Sequence, residues 1–209
     1  MPNVDKAAKA WEMELAGRVG AAIRARRNAL KLTAVDLAER TKTLGYPVNR
    51  VAISKIESNL RAGKLDVAEL LVLAVALEIP PALLLLPTFP DGAVDVLPRS
   101  PAPTLKAREW LCGDAPIPLP VHGDGITGQR ARPNMGVGLV GAVASRARHD
   151  AEIANLSQIA LTQGTPPAAV ESTRRTIESL VEQLSSVKTQ ITEAQIALWG
   201  NPVEDESDA

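Results

Sequence analysis

The sequence predicts an all-α chain in three parts: a helical N-terminal domain over residues 10–87, a Pro/Gly-rich linker over 88–136, and a helical hairpin over 137–199. Three observations predict this. Between Thr33 and Leu60 two short apolar-striped segments flank a glycine–proline turn. The run LLVLAVALEIPPALLLLP is broken by Glu78, Pro80 and Pro81, which divides it into two core helices, the second begun by proline in its first turn. In the last third, apolar residues recur alternately three and four apart, the spacing of a helix that pairs with another.

Taken in order, the chain opens on a charged helix carrying Arg18, Arg24, Arg26, Arg27 and Lys31. Thr33 is a helix N-cap, and Val35, Leu37 and Ala38 form the inward stripe of the helix that follows. Gly45-Tyr46-Pro47 then interrupts helicity, because glycine frees the backbone and proline removes a donor. A further helix starts at the cap residue Asn49 and runs to about residue 58, with Ile53 and Ile56 spaced for the core. Arg50, Val51, Ser54 and Lys55 are left outward. Long donors beside small apolar groups on an exposed first turn suit base edges in a DNA major groove.

With these residues in view, the chain resembles the helix-turn-helix family of lambda-type repressors and Cro, also called the xenobiotic-response-element family. The resemblance rests on Leu37-Ala38, Val48 and Ile53-Ser54-Lys55-Ile56-Glu57. Asp66-Val67-Ala68-Glu69-Leu70 and Leu73-Ala74-Val75-Ala76-Leu77 look like that family's fourth helix, so about residues 10–87 are covered. The resemblance implies a five-helix DNA-binding domain in which Arg50, Val51 and Lys55 contact bases. Ala52 and Ser54 would lie close to the groove, with Asn49 in the same DNA-facing set. Phosphate contacts would come from Thr33 and from the turn at Asn59 and Arg61. It also implies a structural pair between Arg27 and Glu57. The chain departs from the family in three places: a longer turn between the motif helices, Ala34 where a phosphate-binding glutamine is common, and Asn59 in place of glycine, a mild change because asparagine tolerates the left-handed conformation.

Charge agrees with that expectation. Up to Pro87 there are 13 basic against 9 acidic side chains, and beyond it 10 against 15, although the whole chain is nearly neutral. The positive half is the half with the motif, as phosphate neutralisation requires. The single cysteine, Cys112, excludes an internal disulfide, fits a reducing cytoplasm, and beside Trp110 and Leu111 reads as a small buried hydrophobe. The mixed, charged start MPNVDKAAKAWEMELA does not read as a signal peptide, and no apolar run reaches the roughly 20 residues that span a bilayer. A soluble, cytoplasmic protein is expected.

Within 88–136 the density of proline and glycine predicts linker, except for one short amphipathic helix near 104–112, with Leu105, Arg108, Trp110 and Leu111, able to dock on the N-terminal domain. An alanine-rich helix from about Val137 to Thr162, a turn at Gly164-Thr165-Pro166-Pro167, and a helix from near Pro167 to about Trp199 follow. The last carries a heptad seam at Val170, Thr173, Ile177, Leu180, Leu184, Val187, Ile191, Ala194 and Leu198. It pairs either with the preceding helix, through Val140, Val143, Ala147, Ile153, Leu156 and Ile159, or with a second chain, and a four-helix bundle of two hairpins would do both. A homodimer through 137–199 would let paired recognition helices read a two-fold operator. The acidic tail over 200–209 is expected to be disordered.

Gly136-Val137-Gly138-Leu139-Val140-Gly141 matches a dinucleotide-binding fingerprint, but GQRARPN ahead of it is no strand; close helix packing or a flexible start is the better reading. His122 with Asp124, and His149 with Asp150, fall short of a metal-ligand set. No nucleophile stands with a base, and nothing resembles the serine–lysine self-cleaving domain of some phage repressors. The expectation is therefore a DNA-binding transcription regulator, a repressor occupying an operator, with no catalytic residues, metal or cofactor. The alternative is an antitoxin-like or scaffold protein that holds a partner through its coiled coil.

Overall fold

The computed structural model describes residues 5–116, 135–162 and 166–200. His122 with Asp124, residues 117–134 of the expected linker, Gly164-Thr165 and the acidic tail beyond Gly200 lie outside the described residues. The described chain is mostly helical, and its contacts divide into two units after Leu111.

In the first unit α1 (Lys6–Ala29) is capped by Asp5, whose carboxylate accepts from Ala7 N. It is followed by α2 (Ala34–Thr43), α3 (Arg50–Glu57), α4 (Val67–Ala76) and α5 (Pro81–Leu85). Their inner faces meet in one core built on Val19, Ile23, Leu37, Ile53, Leu73 and Leu77, each without exposed surface. These five helices span Lys6 to Leu85, and a sixth follows in the same unit. Within α2 the inward set is Leu37, Ala38 and Thr41, and Val35 is 56% exposed rather than inward. The capped start at Thr33 puts Val35 on the outer side of the first turn.

The linker expected over 88–136 is not linker throughout. Residues β1 (Ala93–Leu97) and β2 (Ser100–Pro103) form an antiparallel hairpin in which Val94 faces Ala102, both buried. Pro98 followed by Arg99 in the left-handed region turns the chain, the combination a type II turn uses. Thr104 closes the hairpin: its amide donates to Gly92 O at 2.8 Å, and its hydroxyl to Pro90 O at 2.9 Å. The short helix expected near 104–112 is α6 (Thr104–Leu111), which buries Thr104 and Ala107. Leu105 and Leu111 are exposed, contrary to the stripe predicted for it, and Cys112 is exposed where a buried thiol was expected.

The second unit contains α7 (Met135–Leu161) and α8 (Pro167–Trp199). Leu139 and Ala142, early in α7, pack on Val187 and Ile191, late in α8, so the two run antiparallel. The α8 seam is as the heptad predicts: Leu180, Leu184, Val187 and Ile191 are buried, and Val170, Thr173, Ile177, Ala194 and Leu198 are partly so. The α7 face is not. Leu139, Ala142, Ile153 and Leu156 turn inward, whereas Val140, Val143, Ala147 and Ile159 are exposed. Gly136, Gly138 and Gly141 lie inside helical backbone, and open space surrounds Gly138 and Gly141, so they serve no close packing. No described helix is long and apolar enough to cross a membrane.

Candidate nucleic-acid interface

The geometry of α3 follows from what holds its two ends. At the N-terminus Asn49 accepts from Ala52 N at 2.9 Å, satisfying a backbone donor the helix itself cannot. Just ahead of it Thr41, fully buried on α2, links helix and turn: its hydroxyl donates to Ala38 O at 2.8 Å and accepts from Val48 N at 3.0 Å. That bridge fixes the entry of a turn longer than the compact motif requires, with Gly45 at φ +87° in its middle.

At the C-terminus Glu57 is 9% exposed and receives a two-pronged hydrogen bond from Arg27 of α1, Nε to Oε1 at 2.6 Å and Nη2 to Oε2 at 2.9 Å. Arg27 also donates from Nη1 to Leu32 O at 2.7 Å, which ties the start of the motif into the same node. The hydrogen bonds to Glu57 raise the Arg27 guanidinium above its ordinary value, against the opposing effect of burial. Gly20 completes the seating: a Cβ there would stand 2.2 Å from Ile56 O, so only glycine lets α1 approach the end of α3 this closely.

Held this way, α3 turns Ile53 and Ile56 into the core and leaves Arg50, Val51, Ser54 and Lys55 exposed, with Val51 at 56%. Asn49, Arg50, Val51, Ala52, Lys55 and Arg61 together line a concave patch of about 480 Å³. Six of the nine expected DNA-facing residues are thereby gathered. Ala52 is only partly exposed, because it also packs against the core. Thr33 lies outside the patch, exposed at the start of α2. There it forms a capping box with Asp36, whose amide donates to the Thr33 hydroxyl at 3.1 Å while Thr33 N donates to the carboxylate at 2.8 Å. The backbone and hydroxyl hydrogen bonds from Thr33 lower the Asp36 carboxyl below its ordinary value.

Asn59 and Arg61 are engaged within the chain. Asn59 takes the left-handed conformation, φ 52°, and points Nδ2 at Met13 O, 2.8 Å away. Arg61, at the edge of the patch, pairs with Glu69 of α4. Much of the basic surface expected on the first helix is likewise committed: Arg18 Nε donates to Leu85 O and Arg26 Nε to Leu77 O, each at 3.0 Å. Arg24 and Lys31 remain exposed. Sequence reasoning missed Thr41 and Gly20. A glycine in the middle of a long helix is the signal for the second, since it weakens the helix unless packing needs it.

Of the two histidine–aspartate pairs, only His149 with Asp150 falls within the described residues. His149 is half-buried, with Nδ1 lacking a partner among the described residues, and Asp150 is exposed. Among the described residues no three His, Cys, Asp or Glu side chains are grouped to hold a metal ion. Compared with protein-family models, curated proteins and solved structures, the chain matches none.

Proposed function

We propose that the first unit is a lambda-repressor-like DNA-binding domain, and that the protein is a cytoplasmic transcription regulator that represses by occupying an operator. The observation that carries the reading is the presentation of α3: its inner face is locked by Asn49 at one end and the Arg27–Glu57 pair at the other, while Arg50, Val51, Ser54 and Lys55 share one exposed face. Arg50 and Lys55 supply long donors and Val51 an apolar surface for thymine methyl groups, while Ser54 and Ala52 allow close approach. Thr33 meets phosphate at the start of α2, Asn49 lies in the patch at the start of α3, and Arg61, paired with Glu69, borders it. Asn59 acts by holding the turn rather than by contact. No enzyme chemistry enters this reading.

In the same proposal the α7–α8 hairpin makes the protein a homodimer. What supports it is that α7 is apolar on two sides: one packs on α8, and Val140, Val143 and Ile159 are left outside it, as expected of a helix that sits inside a larger bundle. The same exposed residues equally favour a second reading, in which the hairpin holds a different protein and the DNA-binding unit is secondary.

Selection of bound sequences from random duplex DNA by the full chain, at near-physiological salt, tests these readings. An inverted repeat is expected. A single asymmetric site would retain DNA reading and remove the dimer, and no enriched sequence would overturn the regulator in favour of the protein-holding module.

A further inference from the structure

Away from α3, in the same unit, α1, α5, the hairpin and α6 line an open apolar recess of about 240 Å³. Trp11 and Trp110 line it together with Leu15, Leu86, Val94 and Val96. Two hydrogen bonds join its lining segments: Trp11 Nε1 donates to Asp95 O at 3.1 Å, and Arg18 Nε to Leu85 O at 3.0 Å. Protein interiors are close-packed, with few voids larger than a water molecule, because an empty apolar space strips the atoms around it of contacts. A recess of this kind, concave and mostly apolar with a few fixed polar groups, is the usual form of a small-molecule site.

Its size and charge specify the occupant. An apolar cavity of about 150 Å³ accepts benzene, and this recess is larger. Burial lowers the guanidinium of Arg18, a lining residue, below its ordinary value, and the carboxylates of Glu14 and Asp95 act against that shift. Asp95 lines the recess beside Arg18, so an anion entering it would meet a negative group as well as the guanidinium and gain little. Two indole side chains among the lining residues supply aromatic surface that a planar ring can pack against. We propose that this recess binds a small, uncharged, planar aromatic molecule of about two fused rings. The site is independent of the DNA-binding reading, and either can fail without the other.

The chain's three tryptophans supply the readout. Trp11 and Trp110 line the recess, and Trp199, 80% exposed on α8 of the other unit, is an internal control. The full-length ¹⁵N-labelled protein is titrated with indole, and separately with benzoate, while the side-chain N–H resonances are followed. Saturable displacement of the Trp11 and Trp110 signals by indole is expected, with Trp199 unmoved and benzoate at least several-fold weaker. V96F, which fills the recess, should abolish the displacement while keeping the wild-type melting cooperativity; if it fails to fold, L85F, at another lining position, replaces it. Absence of saturable displacement in the wild-type protein, equal movement of all three signals, tighter binding of benzoate, or an unchanged midpoint in a folded filling variant would each overturn the proposal.

Discussion

Arg27 and Glu57, thirty residues apart, meet through two parallel hydrogen bonds of 2.6 and 2.9 Å that join the first long helix to the last residue of α3. A fork-to-fork contact of this kind fixes orientation as well as distance. The pair is shielded from solvent, with the Glu57 side chain 4% and that of Arg27 14% exposed. It therefore acts chiefly as a positioning device for the helix whose outer face carries Arg50 and Lys55.

Removing one partner strands the other. Among the described residues R27A leaves the Glu57 carboxylate with Arg24 as its remaining cation, at 3.6 Å, and breaking a buried pair in this way costs about 3–5 kcal/mol. Thermal or urea unfolding of R27A should show a loss toward that range, and R27K should recover only part of it, since an ammonium cannot make the double contact. A full rescue by lysine would show that charge alone, without geometry, seats α3.

Two glycine-to-alanine changes should move stability in opposite directions. At Gly20 the new Cβ would meet Ile56 O at 2.2 Å, and overpacking of this sort costs about 1–3 kcal/mol, more than the gain in helix propensity. At Gly138 open space surrounds the position, so G138A should stabilise by roughly 0.5–1 kcal/mol. Melting curves of the two variants check this. A Gly20 variant as stable as the wild type would mean that α1 and α3 do not approach as closely as described.

The Asp36 carboxyl is held below its ordinary value by the amide and hydroxyl of Thr33. A lowered folded-state value means that the charged form is favoured by folding, so its stabilisation is complete above the unfolded value of about 3.9 and fades as pH falls through the folded one. The stability difference between wild type and D36N should stay constant from pH 7 to about pH 5, then shrink below about pH 4. Unfolding curves across that range test it, and a difference unchanged at pH 3 would remove Asp36 from the acid response.

The legible parts of this structure are those fixed by neighbours in sequence. Thr33 and Asn49 were readable as caps because each precedes a run with helical spacing, and the α8 seam from Val170 to Leu198 was readable because heptads repeat locally. What stayed hidden depends on distant partners. The hairpin pairs Val94 with Ala102, but Gly92, Pro101 and Pro103 made the segment read as linker. On α7 both Val143 and Ala142 are apolar, and only the position of Val187 and Ile191 decides which turns inward. Arg61 and Asn59 read as exposed turn residues until Glu69 and Met13 O were seen beside them.

In the proposed function α3 reads the DNA sequence, and Arg50 is the most direct probe of that role. Affinity of the wild type and of R50A should be measured on the selected duplex and on a scrambled duplex of equal length and salt. A loss of about 1–3 kcal/mol on the selected duplex, with little change on the scrambled one and relaxed preference at one base pair, is the predicted result. Equal weakening on both duplexes, or none on either, would contradict it.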